Sequence, residues 1–220
     1  PRVVPNVGAD VPVGGPGAAE LGLPAGIPIA YRAGDQPNNA FSLRVLEPGE
    51  VATTAGTSGV LYGVAGRYGS DEEGVVNPFL HLNHRAEAPR LGVLLCVNGT
   101  GSLHRWLRDS LGVTYEEMNR LAAEAPAGSR ELRIFPYGNG AERSLGNLSP
   151  GAAIEGLDFN RHDRGTVCRA ALEGICFALR LGAGSFERFG ISIRAIRAGE
   201  ANLFLSPVFR EIYAQVMGAP

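Results

Sequence analysis

Apolar positions recur along this chain in two periods, near two for strands and near 3.6 for helices. "EVATTAG" and "GVLYGV" flank Thr57 and Ser58, so they predict two strands joined as a hairpin with glycine on both sides of the turn. "GVVNPFLHL" and "RLGVLLCV" predict further strands, the second so uniformly apolar that both its faces should be covered. "GIPIAY" predicts an earlier strand, followed by a turn at Asp35 and a short helix through Phe41.

The helical period begins at "GSLHRWLRDSLG", where Leu103, Trp106, Leu107 and Leu111 share one spacing, and Trp106 is expected in the core. In "TYEEMNRLAAEA", Thr114 and Glu117 stand as a capping box opening a second helix. "ELRIFPYG" predicts a strand leading into a Gly- and Pro-rich loop. From about Asp163 to Phe189 runs the longest helical stretch, with Val167, Ala171, Leu172, Ile175 and Leu179 on one face and Gly182 and Gly184 expected to interrupt it. "ISIRAI" predicts a late strand; Ser206 and Pro207 form the N-cap and first-turn proline of a final helix ending near Gly218. Residues 1–26, rich in Pro and Gly, predict a connector holding one short helix, and 27–220 an α/β layered domain.

Composition narrows the function. With 220 residues, 45% of them hydrophobic and 19% charged, the chain can bury a core as one large domain or two small ones. A net charge of -2 with interspersed signs gives no general reason to bind nucleic acid or an acidic membrane. No apolar run approaches the roughly 20 residues of a membrane span, and no signal-peptide layout opens the chain, so a cytoplasmic location is expected. Cys168 and Cys176 on one helix would lie about 12 Å apart, too far for a disulfide, and with Cys96 they are expected as buried thiols. All 20 basic residues are arginine. Without lysine the chain holds neither a P-loop, nor the strand lysine of a protein kinase, nor a Schiff-base amine.

Four short stretches could carry chemistry. Asp35 follows an expected strand end with no basic residue within two positions, so it suits either a general base or a helix N-cap. "GTSG", Gly56, Thr57, Ser58 and Gly59, offers backbone approach and two hydroxyls for phosphate, or an ordinary turn; Val60 rules out a G-x-S-x-G nucleophile elbow. "NGTGS" joins a buried strand to a helix start, where N–H groups suit an anion. In "HLNH", His81 and His84 precede Glu87, but positions three apart on a strand face opposite ways, so surface histidines are expected and no metal site. His104 and His162, at helix starts, are expected to be solvated.

The stretch from "GIPIAYRAGDQPNNAF" through "EVATTAGTSGVLYGV" resembles the second half of the FGGY carbohydrate kinases, and the match continues through "GTGSLHRWLRDSLGV", "FPYGNGAERSLGN", "RAALEGICFALR" and "IRAGEANLFLSPVFREIYAQVMGAP". Within that family the likeness is greatest to the xylulokinases. It implies an actin-like, ribonuclease H-like ATPase domain, a mixed sheet with flanking helices, with ATP and Mg²⁺ as cofactors. Its activity would be phosphorylation of a ketopentose such as D-xylulose, with ribulose, gluconate or glycerol kinases and a non-catalytic nucleotide-binding module as alternatives. Asp35 matches the family's catalytic base. Thr57, within Gly56 to Gly59, matches the phosphate-contacting hairpin, Gly101 with Ser102 the glycine turn against the nucleotide, and Ala198, Gly199 and Asn202 the adenine and ribose stretch. The family's glycine run is replaced by "RAGEANLF". The resemblance admits a homodimer. It also places the family's first domain before Pro1 and a closing segment after Pro220, so the chain is expected to be part of a longer enzyme.

Overall fold

In the computed structural model, residues 7–8, 11–71 and 73–219 are described. Within the expected connector, α1 (Gly15–Glu20) carries proline in its first turn; residues 1–6 and 9–10 of that connector lie outside the described residues. The strand expected at "GIPIAY" is not formed. Among the described residues that segment makes two isolated bridges, Val7 to Tyr31 and Pro12 to Pro28. Backbone bonds such as Ile29 N–H to the Val11 carbonyl at 2.8 Å join it to residues 8, 11 and 13, but Pro28 brings no N–H to a ladder and Ile29 and Tyr31 stay exposed, so this pairing does not grow into a strand among the described residues. Helix α2 (Asp35–Ser42) follows, as the pattern predicts.

Four strands come next: β1 (Glu50–Ala55), β2 (Gly59–Ala65), β3 (Asn77–Leu80) and β4 (Leu91–Val97). Beyond them lie α3 (Thr100–Leu111), α4 (Tyr115–Glu124), a small antiparallel pair of β5 (Arg133–Phe135) with β6 (Ala153–Glu155), then α5 (Arg164–Ala183), β7 (Ala195–Ala198) and α6 (Pro207–Met217). The main sheet has the order β3-β4-β2-β1-β7. Its first four strands are antiparallel, and β7 returns parallel to β1, pairing Val51 with Ile196.

Alternation along the strands separates two cores. Val51, Ala55, Leu61, Ala65 and Leu95 pack with α5 and α6, whereas Ala52, Tyr62 and Val64 pack with Ala40 of α2 on the other face. Leu61, Leu95, Leu172, Ile175 and Leu179 are almost fully buried, each worth about 1.5 to 3 kcal/mol. The expected face of α5 is therefore the buried one, with Val167 at its half-buried edge. Gly182 does not interrupt α5. A Cβ there would collide with Leu95, so glycine lets helix and strand lie close, and the α-helix gives way to 3₁₀ geometry only at Gly184–Phe189. None of the described helices is long and apolar enough to cross a membrane.

Several side chains differ from expectation. Trp106 is 56% exposed, because the buried stripe of α3 runs through Thr100, Leu103, His104 and Leu107 and extends to the 104 side rather than the 106 side. His104 is thus buried rather than solvated. His81 is fully buried and shares a hydrogen bond of 3.1 Å with the Tyr62 hydroxyl, while half-buried His84 accepts from the Arg90 amide at 3.2 Å; both lie in a turn after β3, not on a strand. His162 is half-buried, its Nδ1 accepting from the Asp158 amide at 2.9 Å and its Nε2 lying 3.1 Å from the Arg130 carbonyl. Cys168 and Cys176 are buried and Cys96 half-buried; burial raises all three thiols, Cys96 and Cys168 to about 11. The Thr114 hydroxyl accepts from the Glu117 amide at 3.2 Å, but the Glu117 carboxylate turns to Arg120, so half of the capping box forms. Ser206 caps α6, accepting from the Phe209 amide at 3.3 Å, and Gly218 closes it in the left-handed region.

Candidate functional site

The β1–β2 turn and the start of α3 meet at one corner of the sheet. There the Gly101 amide donates to the Gly56 carbonyl at 2.8 Å, and the Ser102 amide and hydroxyl both approach the Thr57 carbonyl at 3.3 Å. A Cβ on Gly101 would collide with the Gly56 carbonyl oxygen, so this contact requires glycine. One consequence concerns the anion site expected at the helix start. Two of the orphan N–H groups of α3 are already engaged by the hairpin, and Thr100 folds its hydroxyl onto the Val97 carbonyl at 3.0 Å. Gly101 and Ser102 therefore act by clamping the hairpin.

Gly56 and Thr57 face a cleft of about 370 Å³, whose walls also include Gly101, Ser102, Arg105 and Asn202. Thr57 is exposed, and its hydroxyl makes no hydrogen bond among the described residues. Asn202 adopts φ 53°, a left-handed conformation that asparagine tolerates, and it stands beside Gly56. The "GTSG" stretch divides in function. Ser58 turns away, its hydroxyl donating to Asn98 Oδ1 at 3.0 Å, and Gly59 is buried in the sheet against Thr100 and Leu179.

Of the residues expected at the adenine wall, only Asn202 lines the cleft. Ala198 ends β7 opposite Thr53, and the Gly199 carbonyl accepts from the Ala201 amide at 2.8 Å. Asp35 is also separate. It opens α2 on the other face of the sheet, exposed, beside a second concavity formed with Gln36, Phe79 and Leu94. Gly34, not Asp35, is the N-cap residue, and Asp35 Oδ1 accepts from the adjacent Gln36 amide at 2.8 Å. No ion pair among the described residues includes it.

Besides the N-cap Ser206, four polar cleft residues were not expected at the site from sequence: Arg105, Tyr115 and Asn119, and His104, which was expected to be solvated. The rings of His104 and Tyr115 stack with centroids 4.8 Å apart at 18°, and the Arg108 guanidinium lies 4.7 Å from the Tyr115 ring. Burial, helped by the Arg108 charge, lowers His104 to about 4. A histidine on the apolar stripe of α3, beside Leu103 and Leu107, was the available signal.

Two donor sets can be compared with the groups ATP chemistry needs. The hairpin, with glycine on its approach and one unengaged hydroxyl, fits a polyphosphate. For Mg²⁺ no group of three or more His, Cys, Asp or Glu side chains converges among the described residues, so these offer that ion no cage of their own.

A mixed sheet with flanking helices, and a glycine hairpin clamped against a helix start beside an open cleft, define the class of actin-like ATPase domains found in sugar kinases. Residues 51–220 match the FGGY family of carbohydrate kinases, C-terminal domain, and the chain belongs to that family. It is 29% identical over 206 residues to the xylulose kinase of Haemophilus influenzae, covering 92% of this chain and 40% of that protein. It is 27% identical over 175 residues to the gluconokinase of Bacillus licheniformis, covering 74% and 33%. The crystal structure of xylulose kinase from Rhodospirillum rubrum superposes with a TM-score of 0.85 at 26% identity, over 100% of this chain and 43% of that one. The chain thus spans less than half the length of these relatives.

Proposed function

We propose that this chain supplies the nucleotide-binding half of a cytoplasmic, ATP-dependent sugar kinase whose acceptor is a ketopentose, D-xylulose, giving D-xylulose 5-phosphate. The observation that carries it is the Gly56–Thr57 hairpin, fastened to α3 and presenting a free hydroxyl to the cleft beside Asn202. Thr57 would donate to a phosphate oxygen and Gly56 would let backbone approach the nucleotide, while Gly101 and Ser102 hold the hairpin in place.

In the transfer step the acceptor hydroxyl oxygen bonds to the γ-phosphorus as the bond to ADP breaks, and the hydroxyl proton passes to Asp35. Asp35 suits that task because its exposed carboxylate keeps one oxygen outside the local bond to Gln36. Closure of the family's first domain over the transferring phosphoryl group would exclude water as a competing acceptor. Mg²⁺ would screen phosphate charge, held chiefly by phosphate oxygens.

The sugar rests on the relatives: a named xylulose kinase is 29% identical over 92% of this chain, a named glycerol kinase 27% over 91% and a named gluconokinase 27% over 74%, so the xylulose reading is carried by the margin in identity. A coupled ADP-release assay of the intact enzyme chain with D-xylulose, D-ribulose, D-gluconate and glycerol tests it. The highest kcat/KM should fall on D-xylulose; a preference for gluconate or glycerol replaces the sugar, and turnover of none removes the kinase reading.

A further inference from the structure

The small sheet ends in an open edge. On its far side β5 meets α5, so closely that a Cβ on Gly174 would collide with the Ile134 carbonyl. β6 has no such cover: among the described residues no backbone hydrogen bond reaches Ala153–Glu155 from outside its pair with β5. Pro136 brings no N–H to the ladder, so Phe135 with Ala153 is its last hydrogen-bonded pair, and Ile134 with Ile154 is the non-bonded pair beside it. The Ile154 N–H and C=O therefore point to the open side. Paired residues share a face, yet Ile134 is buried in the α5 core while Ile154 is 45% exposed. Phe177 and Leu181, one turn apart on α5, are exposed too, beside an apolar groove of about 340 Å³ that they form with Leu132, Ile134 and Phe135. An edge with an apolar centre and no proline in it is a template for another strand.

We propose that β6 pairs with β6 of a second copy of this chain about a two-fold axis at Ile154, giving a homodimer that shares a four-stranded sheet, β5-β6-β6-β5. In that register each Ile154 N–H donates to the Ile154 C=O across the axis, so the two open groups of each copy are satisfied together. Charge selects the same register. Glu155 comes opposite Ala153 of the other strand and keeps Arg133 on its own side, whereas an axis at Glu155 would set two carboxylates face to face. Such an axis stands perpendicular to the sheet, so both α5 helices, with Phe177 and Leu181, come to one face of the joined sheet. Two strands alone are marginal, and the pairing makes four. Neither β6 nor these α5 side chains line the nucleotide cleft, so the inference stands apart from the nucleotide reading.

Analytical ultracentrifugation of the intact enzyme chain tests it. At micromolar concentration the wild type should sediment at twice the chain mass. Ile154→Arg changes an exposed position and should sediment at the single mass, with its far-UV circular dichroism unchanged. Ile154→Cys tests the register, because Cα atoms of a bonded antiparallel pair lie about 5.5 Å apart, within reach of a disulfide. Under mild oxidation it should form a covalent dimer, and neither the wild type nor Gln215→Cys, on the exposed side of α6, should do so. A monomeric wild type overturns the proposal, as does a dimer that Ile154→Arg leaves intact or that Ile154→Cys fails to cross-link. A monomer in which the Ile154→Cys thiol also resists labelling would overturn it in favour of another part of the enzyme chain as the cover of this edge.

Discussion

The amide of Gly101 and the carbonyl of Gly56 meet at 2.8 Å, and this bond joins two glycine turns that are 45 residues apart in sequence. Through it the strand hairpin and helix α3 become one rigid wall of the cleft. The glycines serve this approach first, and any ligand uses the wall they make.

Gly101→Ala should therefore disturb both stability and binding. Its Cβ has nowhere to go but into the Gly56 carbonyl, and overpacking of this kind typically costs about 1 to 3 kcal/mol. Urea unfolding should show that loss, and ADP affinity should fall with it. Gly184→Ala is the control: its φ is -57° and a Cβ meets nothing within 4 Å, so the variant should gain up to about 1 kcal/mol.

Thr57→Val separates ligand from fold in the opposite sense. The side chain is exposed and its hydroxyl makes no hydrogen bond among the described residues, so the melting temperature should hold. A hydrogen bond to a charged phosphate is worth roughly 1.5 to 3 kcal/mol, so ATP affinity should drop at least 10-fold by calorimetry. Equal loss of stability and affinity would make Thr57 a structural turn residue only.

Much of this arrangement was legible in the sequence, and the failures share a cause. The hairpin, the strand at Leu91–Val97, helix α5 and the Ser206 cap all follow from period and capping chemistry, which act locally. Trp106, His81 and His104 do not, because burial of a residue at the margin of a helix stripe or in a turn depends on what packs there from elsewhere in the chain. The two turns at Gly56 and Gly101 were both visible, but not that each satisfies the other. For "GIPIAY" the apolar run was real, but Pro28 interrupts its pairing with residues 7–8 and 11–13, and Ile29 and Tyr31 find no core to enter.

The ion pair inside α5 should be costly to break. Arg169 Nε meets Glu173 Oε1 at 2.8 Å, with both side chains about one tenth exposed; Glu173 also accepts from the Gly128 amide and the Ser129 hydroxyl, and Arg169 donates to the Ala122 and Ala125 carbonyls. Removing one partner strands a buried charge, so Glu173→Ala should lose about 3 to 5 kcal/mol in urea unfolding. Little change would show that water already reaches the pair.

Acid should weaken the fold through two histidines. Burial holds His81 and His104 near 4 in the folded chain, below the ordinary 6.5. Above pH 6.5 neither state binds the proton, and stability is complete. As pH falls from 6.5 toward 4 the unfolded chain takes up protons that the folded chain refuses, so stability declines, then levels below 4. Between pH 6.5 and 5 each histidine should contribute about 1 to 2 kcal/mol of that decline. His104→Gln should flatten its share of the slope; an unaltered slope would place its titration at the ordinary value.

Hydrogen–deuterium exchange of the intact enzyme chain, with and without saturating ADP, asks directly whether the clamped hairpin is the nucleotide site. Protection should appear together in peptides covering Ala55–Gly59, Thr100–Arg105, Tyr115–Asn119 and Asn202–Ser206, the four segments that wall the cleft. Protection confined to other segments, or none at saturating ADP, would contradict it.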